Sequence, residues 1–141
     1  MLLVMLKSYF EQVTDILSVI RQIKSIEIIR YDLDETELKE ILIYRLRAVL
    51  KNNDLIEIME RVTALKKTGM FETTKYRVHW QNSGGQLIKR WDNAPHHFEI
   101  TSHPHHVHDQ SEENVKESDY KNVLGIIGAI QNCLMVDTDD I

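Results

Sequence analysis

The sequence predicts an α+β domain made of an N-terminal helix, a mainly antiparallel sheet of about five strands and a short C-terminal helix. Apolar residues spaced by three and four positions open the chain, and a second stripe of this kind lies near its end. Between them, alternating segments are separated by polar turns. A length of 141 residues fits one domain, so we predict a single unit over residues 1–141.

The first helix is predicted over residues 1–24. No glycine or proline interrupts this segment, and its apolar positions are Leu6, Phe10, Val13, Leu17, Ile20 and Ile23. Such a stripe usually packs on the domain's own core. At a chain end it could equally pack on a partner or on a second copy, which would give a homo-oligomer through this helix.

The sheet is predicted over residues 26–92. The turn-forming sequences Asn52-Asn53-Asp54 and Asn82-Ser83-Gly84-Gly85 separate its later strands. The predicted strands are 26–33, 41–50, 55–63, 75–81 and 86–92. The fourth strand alternates, with Tyr76, Val78 and Trp80 on the inner face and Lys75, Arg77, His79 and Gln81 on the outer face.

A histidine-rich arm follows over residues 93–110. It holds six of the seven histidines and both prolines. Because proline fixes its own φ and favours an extended residue before it, we expect an ordered irregular segment rather than a helix. Imidazole titrates near a pKa of about 6.5, so this arm can exchange protons at neutral pH.

The last helix is predicted over residues 119–135. Ser118 or Asp119 can cap it, since each offers a side-chain oxygen to the first free amides. Its apolar face comprises Val123, Leu124, Ile126, Ile127, Ile130 and Leu134.

Composition and charge limit the classes of function. The lone Cys133 suits a reducing compartment, and no apolar run approaches the roughly 18–20 residues of a membrane span, so we expect a cytoplasmic protein without a membrane partner. A net charge of −5 argues against a generic nucleic-acid binder. However, residues 61–91 carry 7 basic side chains against 1 acidic, and this +6 block leads into the arm. Such a block can attract phosphate, or its charged side chains can simply form the solvent-exposed face of a sheet.

Metal-free cleavage of RNA is the chemistry that this pattern favours. It needs a base for the 2′-hydroxyl, an acid for the leaving oxygen and a cation for the phosphate charge. The candidate catalytic residues are His96, His97, His105, His106, His108 and Arg90. The candidate substrate-binding residues are Arg77, His79, Trp91, Asp92 and Asn93, where Trp91 would stack on a base unless it belongs to the core.

The alternative is a non-catalytic module that binds a metal or nucleic acid. His103, His105, His106 and His108 with Asp109 could supply zinc ligands. The spacing matches no standard set of ligands. We therefore expect no cofactor, with zinc kept for the alternative.

Residues 90–97 (RWDNAPHH) and 104–108 (PHHVH), with the preceding YRVHW strand and Gly84-Gly85 turn, resemble the TumE-like family of bacterial and archaeal toxins. The resemblance is specific over about residues 75–108. It implies a toxin of a type II toxin–antitoxin pair, with a small helix-turn-helix antitoxin as partner. The element order is also similar to RelE-like and barnase-like ribonuclease folds, which implies an endoribonuclease acting on cellular RNA. A long helix before the first strand is less typical of the family.

Overall fold

The computed structural model describes residues 5–139 and confirms the α+β class, with a seven-stranded sheet in place of the predicted five strands. The elements are α1 (Met5–Ser18), β1 (Ile23–Glu35), β2 (Lys39–Leu50), β3 (Leu55–Leu65), β4 (Phe71–Gln81), β5 (Leu87–Asp92), β6 (His106–Asp109), β7 (Val115–Glu117) and α2 (Val123–Asp139). The strands lie in chain order, and each is antiparallel to the next. Neither described helix is long and apolar enough to cross a membrane.

The two faces of the sheet have different neighbours. Side chains alternate between buried and more exposed positions along β2, β3 and much of β4, as expected when only one face is covered. The predicted alternation is confirmed, because Tyr76, Val78 and Trp80 are buried in one core with residues of α1 and α2. We call this side the helix-covered face and the opposite side the open face.

The helix α1 belongs to the core of this domain. Its apolar stripe is buried, and the Phe10 ring packs 5.1 Å from the ring of Tyr44 on β2. The stripe is therefore not available for a homo-oligomer. The helix also ends at Ser18, earlier than predicted, because Ile23 pairs with Leu50 at the start of β1 and this pairing overrides helical spacing. The predicted helical residues 1–4 lie outside the described part of the chain.

A buried carboxylate fastens α1 to the sheet. Glu60 of β3 is fully buried and accepts hydrogen bonds from the hydroxyls of Tyr9, Tyr44 and Thr73. Tyr9 lies 2.8 Å from both carboxylate oxygens. Burial raises the pKa of Glu60, although the three hydroxyl donors oppose this rise.

The two additional strands lie within the predicted arm and between that arm and the predicted last helix. Residues 106–109 form β6 on β5, and residues 115–117 form β7 on β6. The prediction of an irregular segment over residues 93–110 is wrong for β6. Four residues with two histidines carry too little apolar alternation to indicate a strand, which forms only because β5 supplies its partner.

The start of α2 also differs from the prediction. The helix begins at Val123, and the side-chain oxygen of Asn122 accepts a hydrogen bond from the amide of Gly125 at 2.8 Å. Ser118 instead forms a local turn with Tyr120. The predicted caps, Ser118 and Asp119, are therefore wrong, because the turn at Ser118 delays the helix by several residues.

We predict that a charge within α1 unfolds the domain. Val13→Asp places a carboxylate at a position with 0% exposure and should cost more than about 3 kcal/mol of unfolding free energy. Val19→Asp is the matched control at 76% exposure and should change stability by less than about 0.5 kcal/mol. Urea unfolding followed by circular dichroism measures both, and equal stability of the two variants would contradict a core role for α1.

We also predict that Glu60 makes stability depend on pH. A carboxyl whose pKa is raised in the folded state binds its proton more tightly there, so stability falls as pH rises from the ordinary carboxyl pKa through the raised one. The unfolding free energy of Glu60→Gln, relative to the native protein, should therefore increase from pH 4.5 to pH 8. Glu117→Gln, on the exposed end of β7, controls for loss of a carboxylate elsewhere. A difference that stays constant with pH would refute the coupling.

Candidate functional site

The site is assembled by the register of three neighbouring strands. Arg77 of β4 lies opposite Asp92 of β5, which lies opposite His106 of β6. Two residues before Asp92 on β5, Arg90 lies opposite His108 of β6. Because directly paired residues share a face, all these side chains lie on the open face.

A carboxylate and two imidazoles form the centre of the site. The His106 Nε2 lies 3.0 Å from Asp92 Oδ1, and the His108 Nε2 lies 3.7 Å from Asp92 Oδ2. Asp92 is 8% exposed, His106 2% and His108 6%. We call these three residues the His–Asp cluster.

Backbone carbonyls fix the orientation of both rings. The Nδ1 of His106 is 2.9 Å from the carbonyl oxygen of Pro104, and the Nδ1 of His108 is 2.9 Å from that of Glu112. A carbonyl only accepts hydrogen bonds, so each Nδ1 carries a proton and donates it. In the neutral ring the lone pair is then on Nε2, which faces Asp92.

The short contact between His106 and Asp92 is an ion pair when the ring is protonated. The His106 Nε2 is then a cationic N–H 3.0 Å from Asp92 Oδ1, which favours the protonated ring. Burial lowers the pKa of His106, while the Pro104 carbonyl and the Asp92 carboxylate oppose this effect. His108 is outside hydrogen-bond distance of Asp92, so its Nε2 is the freer of the two.

His97 provides a third imidazole beside the cluster. Its ring centre is 4.8 Å from that of His106 and 5.7 Å from that of His108. One ligand atom from each of these three rings lies within 4.8 Å of the others, so they could hold a divalent metal ion. The zinc set predicted from sequence is not assembled in this way, because only His106 and His108 of that set belong to the group.

Arg90 is held at the edge of the site by two carboxylates. Its guanidinium hydrogen-bonds to Glu112 and lies 3.5 Å from Asp92, and only 12% of its side chain is exposed. The bond to Glu112 is the main reason that the pKa of Arg90 is raised. Sequence reasoning missed Glu112, which is exposed and lies in an acidic segment that gives no other signal.

An open cavity of about 380 Å³ leads to the cluster. Its lining includes eight of the predicted site residues, namely Arg77, Arg90, Asp92, Asn93, His96, His97, His106 and His108. Asn93 has a structural role besides, since its side chain hydrogen-bonds to the backbone of Tyr76 and Thr74. The cavity is therefore bounded by cations and imidazoles around a single buried carboxylate.

Three predicted site residues lie elsewhere. Trp91 is 4% exposed on the helix-covered face, so it belongs to the core and is not available to stack on a base. His105 stacks on Tyr76, with its Nδ1 2.9 Å from the phenol oxygen. His79 lies on the open face opposite Arg90, and its Nε2 contacts the side chain of Gln81 at 3.0 Å. His105 lies just before β6 and His106 is its first residue, and their side chains lie on different sides of the sheet, which clustering in sequence does not reveal.

We predict that neutral His106 and His108 are Nδ1–H tautomers. The carbonyl contacts at 2.9 Å impose this form, whereas exposed His96 has no such carbonyl partner among the described contacts and serves as the control. Long-range ¹H–¹⁵N spectra at alkaline pH distinguish the tautomers. Nε2–H signals from both cluster rings would contradict the proposed orientation.

Comparison with known proteins identifies the family. No curated protein and no solved structure matches the chain. A family model described as "Toxin TumE" matches residues 16–134, which include every strand and the whole site and exclude most of α1. Such a toxin implies an antitoxin partner. The match covers most of the chain, which therefore belongs to the TumE toxin family.

Proposed function

We propose that this toxin inhibits growth by cleaving cellular RNA at the His–Asp cluster without a metal ion. One observation carries the proposal: two buried imidazoles, each held through Nδ1 by a carbonyl, direct their Nε2 atoms to one carboxylate in an open cavity. Such paired groups can act as acid and base in one reaction.

The geometry suggests different roles for the two rings. His108 Nε2 has no hydrogen bond to Asp92, so it serves as the base that removes the 2′-hydroxyl proton. The 2′-oxygen then attacks phosphorus and the bond to the 5′-oxygen breaks. His106, whose protonated form is paired with Asp92, protonates that leaving oxygen. The products are a 2′,3′-cyclic phosphate and a 5′-hydroxyl, and each ring returns to its first state after proton exchange with water.

Asp92 and the nearby cations complete the proposed machinery. The carboxylate orients His106 and favours its protonated form. Arg77 and Lys75 line the same cavity and can offset charge on the phosphate. Arg90 is already paired with Glu112, so it can contact phosphate only if this ion pair breaks. We therefore assign Arg90 first to holding Asp92 in place.

An RNA-cleaving toxin needs an inhibitor in the same compartment. We propose that the antitoxin is a small helix-turn-helix protein and that both act in the cytoplasm. An acidic segment of that partner would match the basic lining of the cavity and would mainly raise the association rate.

Metal binding at the cluster is the second candidate. His97, His106 and His108 bring three imidazole ligand atoms within 4.8 Å of one another, which favours a zinc-like ion over a hard oxygen-binding cation. In that case the same lone pairs would hold the ion and would not be free for proton transfer.

We predict that the protein cleaves labelled single-stranded RNA in the presence of a metal chelator. His108→Asn and His106→Asn should each slow this cleavage by at least about 100-fold. His103→Asn is the control, because that ring contacts Phe98 and the backbone of His97 rather than Asp92. Mass spectrometry of the products should show the cyclic phosphate. Activity that chelation abolishes and zinc restores would instead establish the second candidate.

A further inference from the structure

A second cavity of about 660 Å³ lies on the open face, across β1 to β4. Its basic lining comprises Arg30, Arg45, Arg61, Lys75 and Arg77. We call it the open-face groove. Such a concentration of cations in one concavity attracts polyanions, even on a protein of net charge −5.

The cations in the groove differ in their ion pairs. Arg45 is paired with Glu57, and Arg30 with Asp32. Arg61, Lys75 and Arg77 form no salt bridge within the described residues 5–139. These three side chains therefore form a positive strip along β3 and β4, although Arg77 is near enough to Glu112 to help lower the pKa of that carboxyl.

The groove continues into the site of proposed cleavage. Met59, Lys75 and Arg77 line both cavities, so the two share a wall. One cross-strand row passes from Arg45 through Met59, Arg77 and Asp92 to His106. Four strand spacings of about 4.8 Å make this row roughly 19 Å long. A chain molecule lying along it would reach the His–Asp cluster at one end.

From these observations we infer that the open-face groove binds the phosphate backbone of single-stranded RNA next to the bond that is cut. The inference rests on the proposed function, because it takes the cluster as the point of cleavage. A single strand is required, since His106 and Asp92 are at most 8% exposed and a paired backbone could not approach them closely. The unpaired cations then contact successive phosphates.

Recognition in the groove is tolerant of base sequence. The tyrosine and tryptophan rings of β2 and β4, Tyr44, Tyr76 and Trp80, are all buried on the helix-covered face. Between its cations the groove offers the aliphatic side chains of Ile43 and Met59, which can contact any base. Among the described residues, the lining of the groove has no tyrosine or tryptophan ring and includes one imidazole, that of His79. Affinity therefore comes chiefly from phosphate contacts and falls with salt.

Binding to an RNA that cannot be cut tests the groove. The probe is a fluorescent single strand of 12 nucleotides with 2′-O-methyl groups, which lack the attacking hydroxyl. The combined variant Arg61→Gln, Lys75→Gln and Arg77→Gln should weaken binding at least tenfold at low salt. It should also reduce the slope of the logarithm of the association constant against the logarithm of salt concentration by about 2, because each of the three lost phosphate contacts contributes about 0.7.

The matched control removes three charges elsewhere. Lys7→Gln, Lys51→Gln and Lys67→Gln change exposed lysines on α1 and in two turns, and this variant should bind within twofold of the native protein. Thermal unfolding checks that both variants are folded. A paired duplex of the same length should bind more weakly than the single strand.

Several outcomes would overturn the inference. The groove variant could bind the RNA probe as tightly as the native protein does. The groove and control variants could lose equal amounts of RNA affinity, or the duplex could bind more tightly than the single strand. Loss of antitoxin binding with unchanged RNA binding would assign the groove to the protein partner instead. Failure of the proposed cleavage can be recognised separately. If the native protein binds the methylated probe through the groove but leaves ordinary RNA intact, the cleavage proposal is refuted and the groove inference stands.

Discussion

The register between β4, β5 and β6 is the constraint on which the site depends. Trp91 fixes it, because this ring is buried on the helix-covered face between Val78 and Val107 and forces Asp92 onto the open face. A shift of one residue would exchange the two sets of side chains. It would bury Asp92 among apolar groups and expose Trp91, so apolar packing on one face determines the placement of titratable groups on the other.

Most polar atoms of the His–Asp cluster have a partner although the cluster is buried, and the exception is His108 Nε2. Two backbone carbonyls accept the Nδ1 protons, and the Asp92 carboxylate lies 3.0 Å from the Nε2 of His106. Arg90 bridges Asp92 and Glu112, which joins β5 to the segment after β6. Because these partners hold both rings, the rings can present Nε2 in a fixed direction, and an enzyme that transfers protons needs such fixed groups before substrate arrives.

Long alternating strands could be predicted from the sequence, whereas short and polar ones could not. The β4–β5 hairpin was evident because Tyr76, Val78 and Trp80 alternate with charged residues and a glycine turn follows. The strand β6 could not be predicted in this way, because its register is set by pairing with β5 rather than by its own four residues. For the same reason the histidines could be predicted as a group, but not which of them converge. The Glu60 and Glu112 contacts join residues distant in sequence, and composition gives no sign of such pairs.

The sheet separates stability from function. On the helix-covered face, α1 and α2 bury the apolar residues, and the hydroxyls around Glu60 fasten α1. On the open face, no helix covers the cations among the described residues, and an open cavity reaches the buried imidazoles of the His–Asp cluster. Cross-strand neighbours then determine what the open face can do, since each strand adds one side chain to a row. The row from Arg45 to His106 changes from a basic wall to the pair proposed for proton transfer within five strands, so the proposed binding and chemistry both depend on one register.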